Sequence, residues 1–367
     1  MSNEARHYRP TRAEISLSAV RHNAKLARKL AAGQSLLAVI KANAYGHGSS
    51  AIAAALEAHV DAFAVAFIDE ALQLRESGCR LPIVLLEGCF SAAELTLCEA
   101  YNLQPVIHHH RQLNQLLAST IQTPLRVWLK VDSGMHRLGF ASNEIAAVSA
   151  RLAAAKQVSE VTLMSHFANA EQAEHPLNRR QLAEFEPLLG LASRLSLANS
   201  AALLQPFGSL LQADERRWCR AGIMLYGIDP GLPQAPAALQ PAMRLLAPVI
   251  GLRSVKAGDT VGYGSRWQAC RDSVIATLAI GYADGYPRHA PTGTPVLARG
   301  QRLPLVGTVS MDMITIDATD CPQLCLDDEV ELWGPALPVN EVAQQIGTIG
   351  YELVTRVGQR VPRIYVD

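Results

Sequence analysis

The chain has no surplus charge, no C-x-x-C motif and no long apolar run, and each absence removes a class of function. Its 33 Lys and Arg balance 33 Asp and Glu, so no global field draws it to nucleic acid or to an anionic membrane surface. A small-molecule partner fits better. The seven cysteines, at 79, 89, 98, 219, 270, 321 and 325, are odd in number and scattered, which removes the spacing of zinc sites and of dithiol redox centres. They read as reduced thiols. The longest alanine-rich run is broken by Glu57, His59 and Asp61, well short of a membrane span. The opening "MSNEARHYRPTR" carries no apolar targeting segment, so the expected location is cytoplasmic. There is no internal repeat, no low-complexity tract, and no G-x-G-x-x-G after the first apolar run. "GYGSRW" at Gly262 lacks the third glycine, which weakens an open, doubly wound dinucleotide sheet as the competing topology.

What is present is a large apolar fraction, 49% against 18% charged over 367 residues, enough for a barrel-sized domain and a smaller one. From residue 35 to about 230, short Val-, Ile-, Leu- and Phe-rich runs alternate with helical patterns: "SLLAVIK", "AFAVAF", "PIVLLEG", "QPVIHH", "RVWLKVD", "VTLMSHF", "RLSLANS" and "GIMLYGI". That number predicts a (β/α)8 TIM-type barrel. Ser91 with Glu94 three residues on marks one helix start. Beyond "PGLPQAPAALQPAM" the texture turns to β-runs divided by glycine and proline, with one helical stretch, "VNEVAQQIGTIGYELVTRV". The expected fold class is therefore α/β, a barrel over 1–240 followed by a mainly-β domain over 241–367. Residues 1–15 belong to either.

In such a barrel, function gathers where the strands end. Those positions hold Lys41 and Tyr45, then Lys130 and Arg137, then His166, then Asn199 and Ser200, then Arg220 and Gly222. Lys41, closing an apolar run, either snorkels to solvent or is held where burial makes its amine a nucleophile or base. "ANS" and "AGI" offer a hydroxyl and glycine-exposed amides near the last two strands, where phosphate sites form. A lysine at the mouth, a phosphate cradle and no metal cluster point to a Schiff base with pyridoxal phosphate. Quieter readings stand beside these. His166 suits a core histidine, and Tyr263 a turn aromatic. His108–His110 lack partner ligands at metal spacing, so the expectation is no metal. "EQAEH" has glutamate where an inverzincin needs histidine.

Seven motifs in one order, "AVIKANAYGHG", "LKVDSGMHRLG", "SHFANA", "RAGIMLYG", "VGYGSRW", "GYADGYPR" and "VSMDM", resemble those of bacterial alanine racemases, fold-type III pyridoxal phosphate enzymes. The likeness spans essentially the whole chain. It implies pyridoxal 5'-phosphate on Lys41 and two bases on opposite faces of the substrate, Lys41 and Tyr263, as inversion at one carbon requires. A phenol ordinarily titrates near about 10, and the resemblance has His166 and Arg220 stabilise its anion. It further places Arg220 against the cofactor's pyridine nitrogen, and Tyr45, Ser200, Gly222, Ile223 and Tyr351 on its phosphate. Arg137 meets substrate, Lys130 matches a lysine carbamylated in several members, and Tyr282, Met311 and Asp312 line the substrate pocket. The partners implied are alanine and a second copy, in a homodimer with shared active sites. His136 and Ser310 fall where members vary, leaving side-chain selectivity less defined than the reaction. A broad-specificity racemase is the nearest rival for the same reaction, but that kind is associated with secretion and the opening residues show no signal peptide. Two rivals of other classes share parts of this plan. Basic amino acid decarboxylases are generally longer and lack the tyrosine of "VGYGSRW". A barrel-only pyridoxal phosphate carrier needs no second base.

Overall fold

The structure, a computed structural model, describes residues 8–205, 216–233 and 238–367. It divides into two compact units. One holds the described residues up to Ala19, with Tyr45–His47 and Gln240–Asp367, and the other the described residues of Val20–Ala44 and Gly48–Leu239.

The second unit is a closed barrel of eight parallel strands. Around it run Ser35–Val39, Ala62–Val65, Ile83–Leu85, Leu103–Ile107, Leu125–Asp132, Val158–Met164, Arg194–Ser196 and Arg217–Ala221, which pairs back with the first. The first four are apolar almost throughout because helices cover their outer faces; Ala62–Val65, for example, is buried at every position. Inside, side chains fill the space. The Trp128 and Trp218 rings meet edge-on at 5.7 Å, and Trp128 Nε1 donates to Gln104 Oε1 at 2.8 Å. The eighth strand departs from expectation. "GIMLYGI" is not a strand: Ile223–Tyr226 is a 3-10 turn ended by left-handed Gly227, and the strand lies earlier, in Arg217–Ala221. Its Arg-Trp-Cys-Arg reads as too polar for a barrel strand, yet it faces an interior that holds polar and aromatic groups. At Ser91, Glu94 does reach back to the Phe90 and Ser91 amides at 3.1 and 3.0 Å, the acidic half of a capping box.

The other unit is a sheet of eight strands in which Met243–Val255 is the spine. Its ends pair with different partners, Glu329–Trp333 and Ser273–Leu278, which closes most of the sheet on itself. Arg12–Ser16 adds an antiparallel edge to the spine and pairs in parallel with Arg363–Val366. Strands such as Ile314–Asp317 bury alternate residues, the mark of a sheet with one solvated face. The expected single helix is two, Val339–Ile346 and Gly350–Arg356, because Gly347 takes φ 80° and ends the first.

Backbone crowding in this unit yields a stability test. Gly285 has φ +102°, and a Cβ there would lie 1.9 Å from the Arg356 carbonyl oxygen, whereas one at Gly258, φ +93°, would meet nothing within 4 Å. Gly258→Ala should cost about 1–2 kcal/mol for the left-handed backbone alone, and Gly285→Ala more than about 4 kcal/mol because a backbone oxygen cannot move aside. Urea unfolding of both variants checks this, and equal midpoints would refute it.

Candidate active site

At the end of Ser35–Val39 the chain makes an unusual turn. Ala42, Asn43, Ala44 and Tyr45 all have φ between 51 and 54°, a left-handed turn built without glycine, where each residue costs roughly 1–2 kcal/mol. Surrounding groups hold it. Glu70 Oε1 accepts the Ala42 N–H at 2.5 Å, the Ala44 N–H returns to the Ile40 carbonyl at 2.9 Å, and Asn43 Oδ1 accepts the Ser49 N–H at 2.9 Å. Strain of this kind gathers at functional sites. Here it fixes the backbone that carries Lys41.

Cations converge on the same barrel mouth. Arg220, 4% exposed, donates to Ser196 Oγ at 2.7 Å, to the Ser165 and Leu197 carbonyls at 2.7 and 3.1 Å, and to His166 Nδ1 at 3.1 Å. A guanidinium only donates, so Nδ1 accepts and the imidazole is neutral on that side. Burial, followed by the charges of Arg220, Arg137, Lys130 and Lys41, holds His166 well below its usual range. Lys130, 8% exposed, is lowered to about 8 by burial, then by Arg137, Arg220 and Lys41, against the pull of Glu87. Burial lowers Arg220 to about 10. Among the described residues none of Lys41, Lys130, Arg137 and Arg220 is ion-paired with a carboxylate. Of these, Lys130 and Arg220 are buried, and buried cations without counter-ions are costly, an arrangement suited to an anion.

Two loops complete this side. Ser200 Oγ accepts the Gly222 N–H at 2.9 Å, ordering the strand end where Ile223 opens the 3-10 turn and its amide has no intrahelical acceptor. Asp132 Oδ1 accepts the Gly134 and His136 N–H groups at 3.0 Å each. It thereby shapes the loop bearing Arg137, which is exposed. The donor set, guanidinium, amines, neutral imidazole and amides, fits a phosphorylated, anionic cofactor such as pyridoxal phosphate. No described group of three or more His, Cys, Asp or Glu side chains could hold a metal ion. His108 Nε2 instead lies 3.1 Å from the Glu87 carbonyl, His109 caps a helix, and His110 pairs with Glu144 at 2.9 Å.

The other unit brings the remaining candidates together in two groups. The Tyr45 and Tyr351 rings lie 6.2 Å apart, and burial raises Tyr45 to about 12. Tyr263 is 71% exposed, in a turn whose carbonyl accepts from Thr308 Oγ1 at 2.9 Å. The strand-end loop beyond Thr308 carries Met311 and Asp312, and its Ser310 and Met311 carbonyls accept the Tyr282 and Ala283 N–H groups at 3.0 and 2.9 Å. Sequence reading passed over Glu70, Asp132 and Ser196, which act on other residues rather than on a ligand. Only Asp132 had a local signal, an Asp two residues before Gly. The left-handed turn had none, since alanine has no preference for it.

Two family models match the chain, the alanine racemase N-terminal domain over residues 15–230 and the C-terminal domain over 242–365. The alanine racemase of Stutzerimonas stutzeri is 48% identical over 361 residues, 98% of this chain and 99% of that protein. The crystal structure of the biosynthetic alanine racemase from Pseudomonas aeruginosa aligns with TM-score 0.93 at 48% identity, covering 98% of this chain and all of that one (100%). The alanine racemase from Bartonella henselae with covalently bound pyridoxal phosphate aligns with TM-score 0.88 at 34% identity, over 97% and 99% of the two chains. With both domain models matched in order and relatives aligned from end to end, the chain belongs to the alanine racemase family.

Proposed function

We propose that this protein interconverts L-alanine and D-alanine with pyridoxal 5'-phosphate, in the cytoplasm, providing D-alanine for peptidoglycan. The observation that carries the reading is the barrel mouth itself, where Lys41, Lys130, Arg137 and Arg220 surround a neutral His166 without a paired carboxylate. Lys41 would hold the cofactor and Ser200 and the Ile223 amide would take its phosphate, with Tyr45 and Tyr351 completing the contacts; the Gly222 amide would join them by shifting from Ser200 Oγ, to which it donates at 2.9 Å. When bound, the cofactor supplies an electron-withdrawing ring that acidifies the substrate's Cα–H. Arg220 has hydrogens to donate and no proton to give up at neutral pH. It therefore orients the ring nitrogen without protonating it.

The Lys41 amine takes or returns the Cα proton on one face, and the Tyr263 oxygen does so on the other. Arg137 receives the substrate carboxylate. Tyr282, Met311 and Asp312 line the pocket, and two bulky groups among three favour a small side chain. Lys130, lowered to about 8, has a substantial neutral amine fraction in mildly alkaline solution. Carbamylation by carbon dioxide would turn this buried cation into an anion able to orient Arg137. Partners are alanine and a second copy of the chain, with neither nucleic acid nor membrane; no described helix is long and apolar enough to cross a membrane. Each site is shared in a symmetric homodimer, Lys41 from one chain and Tyr263 from its partner. In support, Tyr263, Met311 and Met313 are 71, 53 and 44% exposed, apolar area suited to an interface.

Three outcomes test the reading. Borohydride should bleach the yellow holoenzyme and fix the cofactor on Lys41 by peptide mapping; fixation elsewhere, or a colourless protein, refutes it. Carbon-13 bicarbonate should give a carbamate signal that grows as pH rises through about 8, where Lys130 loses its proton, and that Lys130→Ala abolishes; silence at high pH under saturating bicarbonate counts against it. Finally, Lys41→Ala and Tyr263→Phe subunits, each nearly inactive, are exchanged and dimer exchange is confirmed by tags. Sharing sites between chains should restore roughly a quarter of wild-type sites. A flat, inactive profile would place both bases in one chain or displace Tyr263 from the role.

A further inference from the structure

The loops carrying Tyr282 and Met311–Asp312 meet at one buried carboxylate. Asp284 is 1% exposed and lies two residues beyond Tyr282. Its two oxygens accept from Arg9 Nη1 and Nη2 at 2.6 and 2.7 Å, and Oδ2 also accepts the Gly281 N–H at 2.9 Å. Arg360 Nε stands 3.5 Å from Oδ1 and spends its other end on Asp312 Oδ1, 2.7 Å from Nη2. One carboxylate thus touches three separate parts of the chain. Burial favours its neutral form, but the hydrogen bonds from Arg9 and the Gly281 amide, with the charges of Arg9 and Arg360, hold its pKa below the usual range. It remains ionised where the enzyme works.

The backbone around it leaves little slack. A Cβ on Gly281 would fall 2.4 Å from the Ser310 and Met311 carbonyl oxygens, so only glycine lets the Tyr282 turn lie directly against the Met311 loop. The Asp284 carbonyl accepts the Gly358 N–H at 2.8 Å, tying the turn to the segment that supplies Arg360. Arg9 is itself anchored, since it donates to the Ala279 carbonyl, which Thr11 Oγ1 also approaches at 2.6 Å. Without the charge on Asp284, Arg9 and Arg360 would both lose their buried counter-ion, and the two loops would lose their common fixed point.

We infer that Asp284 is a positioning residue for racemisation. Through Arg9, the Gly281 amide and Arg360, it holds Tyr282, Met311 and Asp312 in a single arrangement and so sets how tightly the pocket closes on a small substrate. The inference rests on the assignment of those three residues to the substrate pocket. It differs from a stabilising role in what it changes. Lost stability lowers the number of working sites, whereas lost positioning alters binding at every site that still works.

The test is steady-state racemisation of L-alanine and L-serine by holoenzyme, with kcat expressed per bound cofactor. Asp284→Asn should raise KM for alanine at least ~10-fold, hold kcat per site within ~3-fold, and narrow the preference for alanine over serine. Arg9→Gln, at a partly exposed side chain, should move KM in the same direction by ~3-fold or more, and the double variant should be no worse than Asp284→Asn within ~2-fold, as expected for groups acting as one unit. A wild-type KM in Asp284→Asn overturns the inference, as does a fall in kcat per site larger than the rise in KM. Should Asp284→Asn fail to fold, Arg9→Gln carries the test alone, and a wild-type KM there overturns it. An inactive wild-type holoenzyme instead overturns the functional reading together with this inference.

Discussion

Arg220 is a charge that the barrel cannot neutralise from its own side chains. Its neighbours are a hydroxyl, two carbonyls and an imidazole nitrogen, all of them acceptors without a formal charge. Such a group is tolerated in the interior only if its hydrogen bonds are satisfied and something anionic stands within reach. The rest of the mouth follows from that constraint. His166 must stay neutral to accept from the guanidinium, and the other cations enforce this. Lys130 is driven toward its neutral form by the same field, which is also the form that reacts with carbon dioxide. An anionic ligand bound at this mouth would lower the cost of its buried positive charges, so its binding and the stability of the mouth would be coupled.

Position needs as much control as charge. A lysine on a flexible stem can place its amine anywhere within several ångströms. The left-handed Ala42–Tyr45 turn fixes the backbone next to Lys41 and so the root of that stem, at a cost in conformational energy that the Glu70 and Asn43 hydrogen bonds offset. Glu70 does this from the first turn of the helix Ile68–Glu76, and it also accepts the Ala66 N–H at 2.8 Å. One carboxylate therefore joins the ends of two adjacent barrel strands. Asp132 does the same kind of work for the Arg137 loop.

What sequence reading could recover follows a physical divide. Buried strands such as "AFAVAF" are legible because two covered faces demand an unbroken apolar run, whereas Lys41 and His166 at strand ends also suit a snorkelling lysine and a core histidine, and only the run of motifs around them singled them out. The last barrel strand was not: "RWCRA" turns Trp218 and Arg220 to the interior, with Cys219 on the opposite face, so its pattern is that of a polar lining and the neighbouring "GIMLYGI" is more apolar. Gly347 splits a helix that periodicity alone would continue, because the period persists on both sides of a single left-handed residue. Groups acting at one remove, Glu70, Ser196 and Asp284, are legible only for their local bonds, such as those of Glu70 to Ala66 and of Asp284 to Gly281. Their long-range bonds, Glu70 to Ala42 and Asp284 to Arg9, 275 residues away, are revealed only by the fold.

The two units use different means to hold their side chains. The barrel places its groups by strand register, with Arg220 level with Leu37 and Lys130 with Met164, and a register cannot shift by one without turning every side chain to the opposite face. The loops of Tyr282 and Met311 have no such lattice and depend on glycine contacts and a charged hub. Substitutions there can move those loops while the barrel's charge balance stays intact, whereas a change at Arg220 or His166 alters the field at every neighbouring group. If Tyr282 and Met311 line the substrate pocket as proposed, side-chain selectivity is then the property easier to adjust and reaction type the harder one.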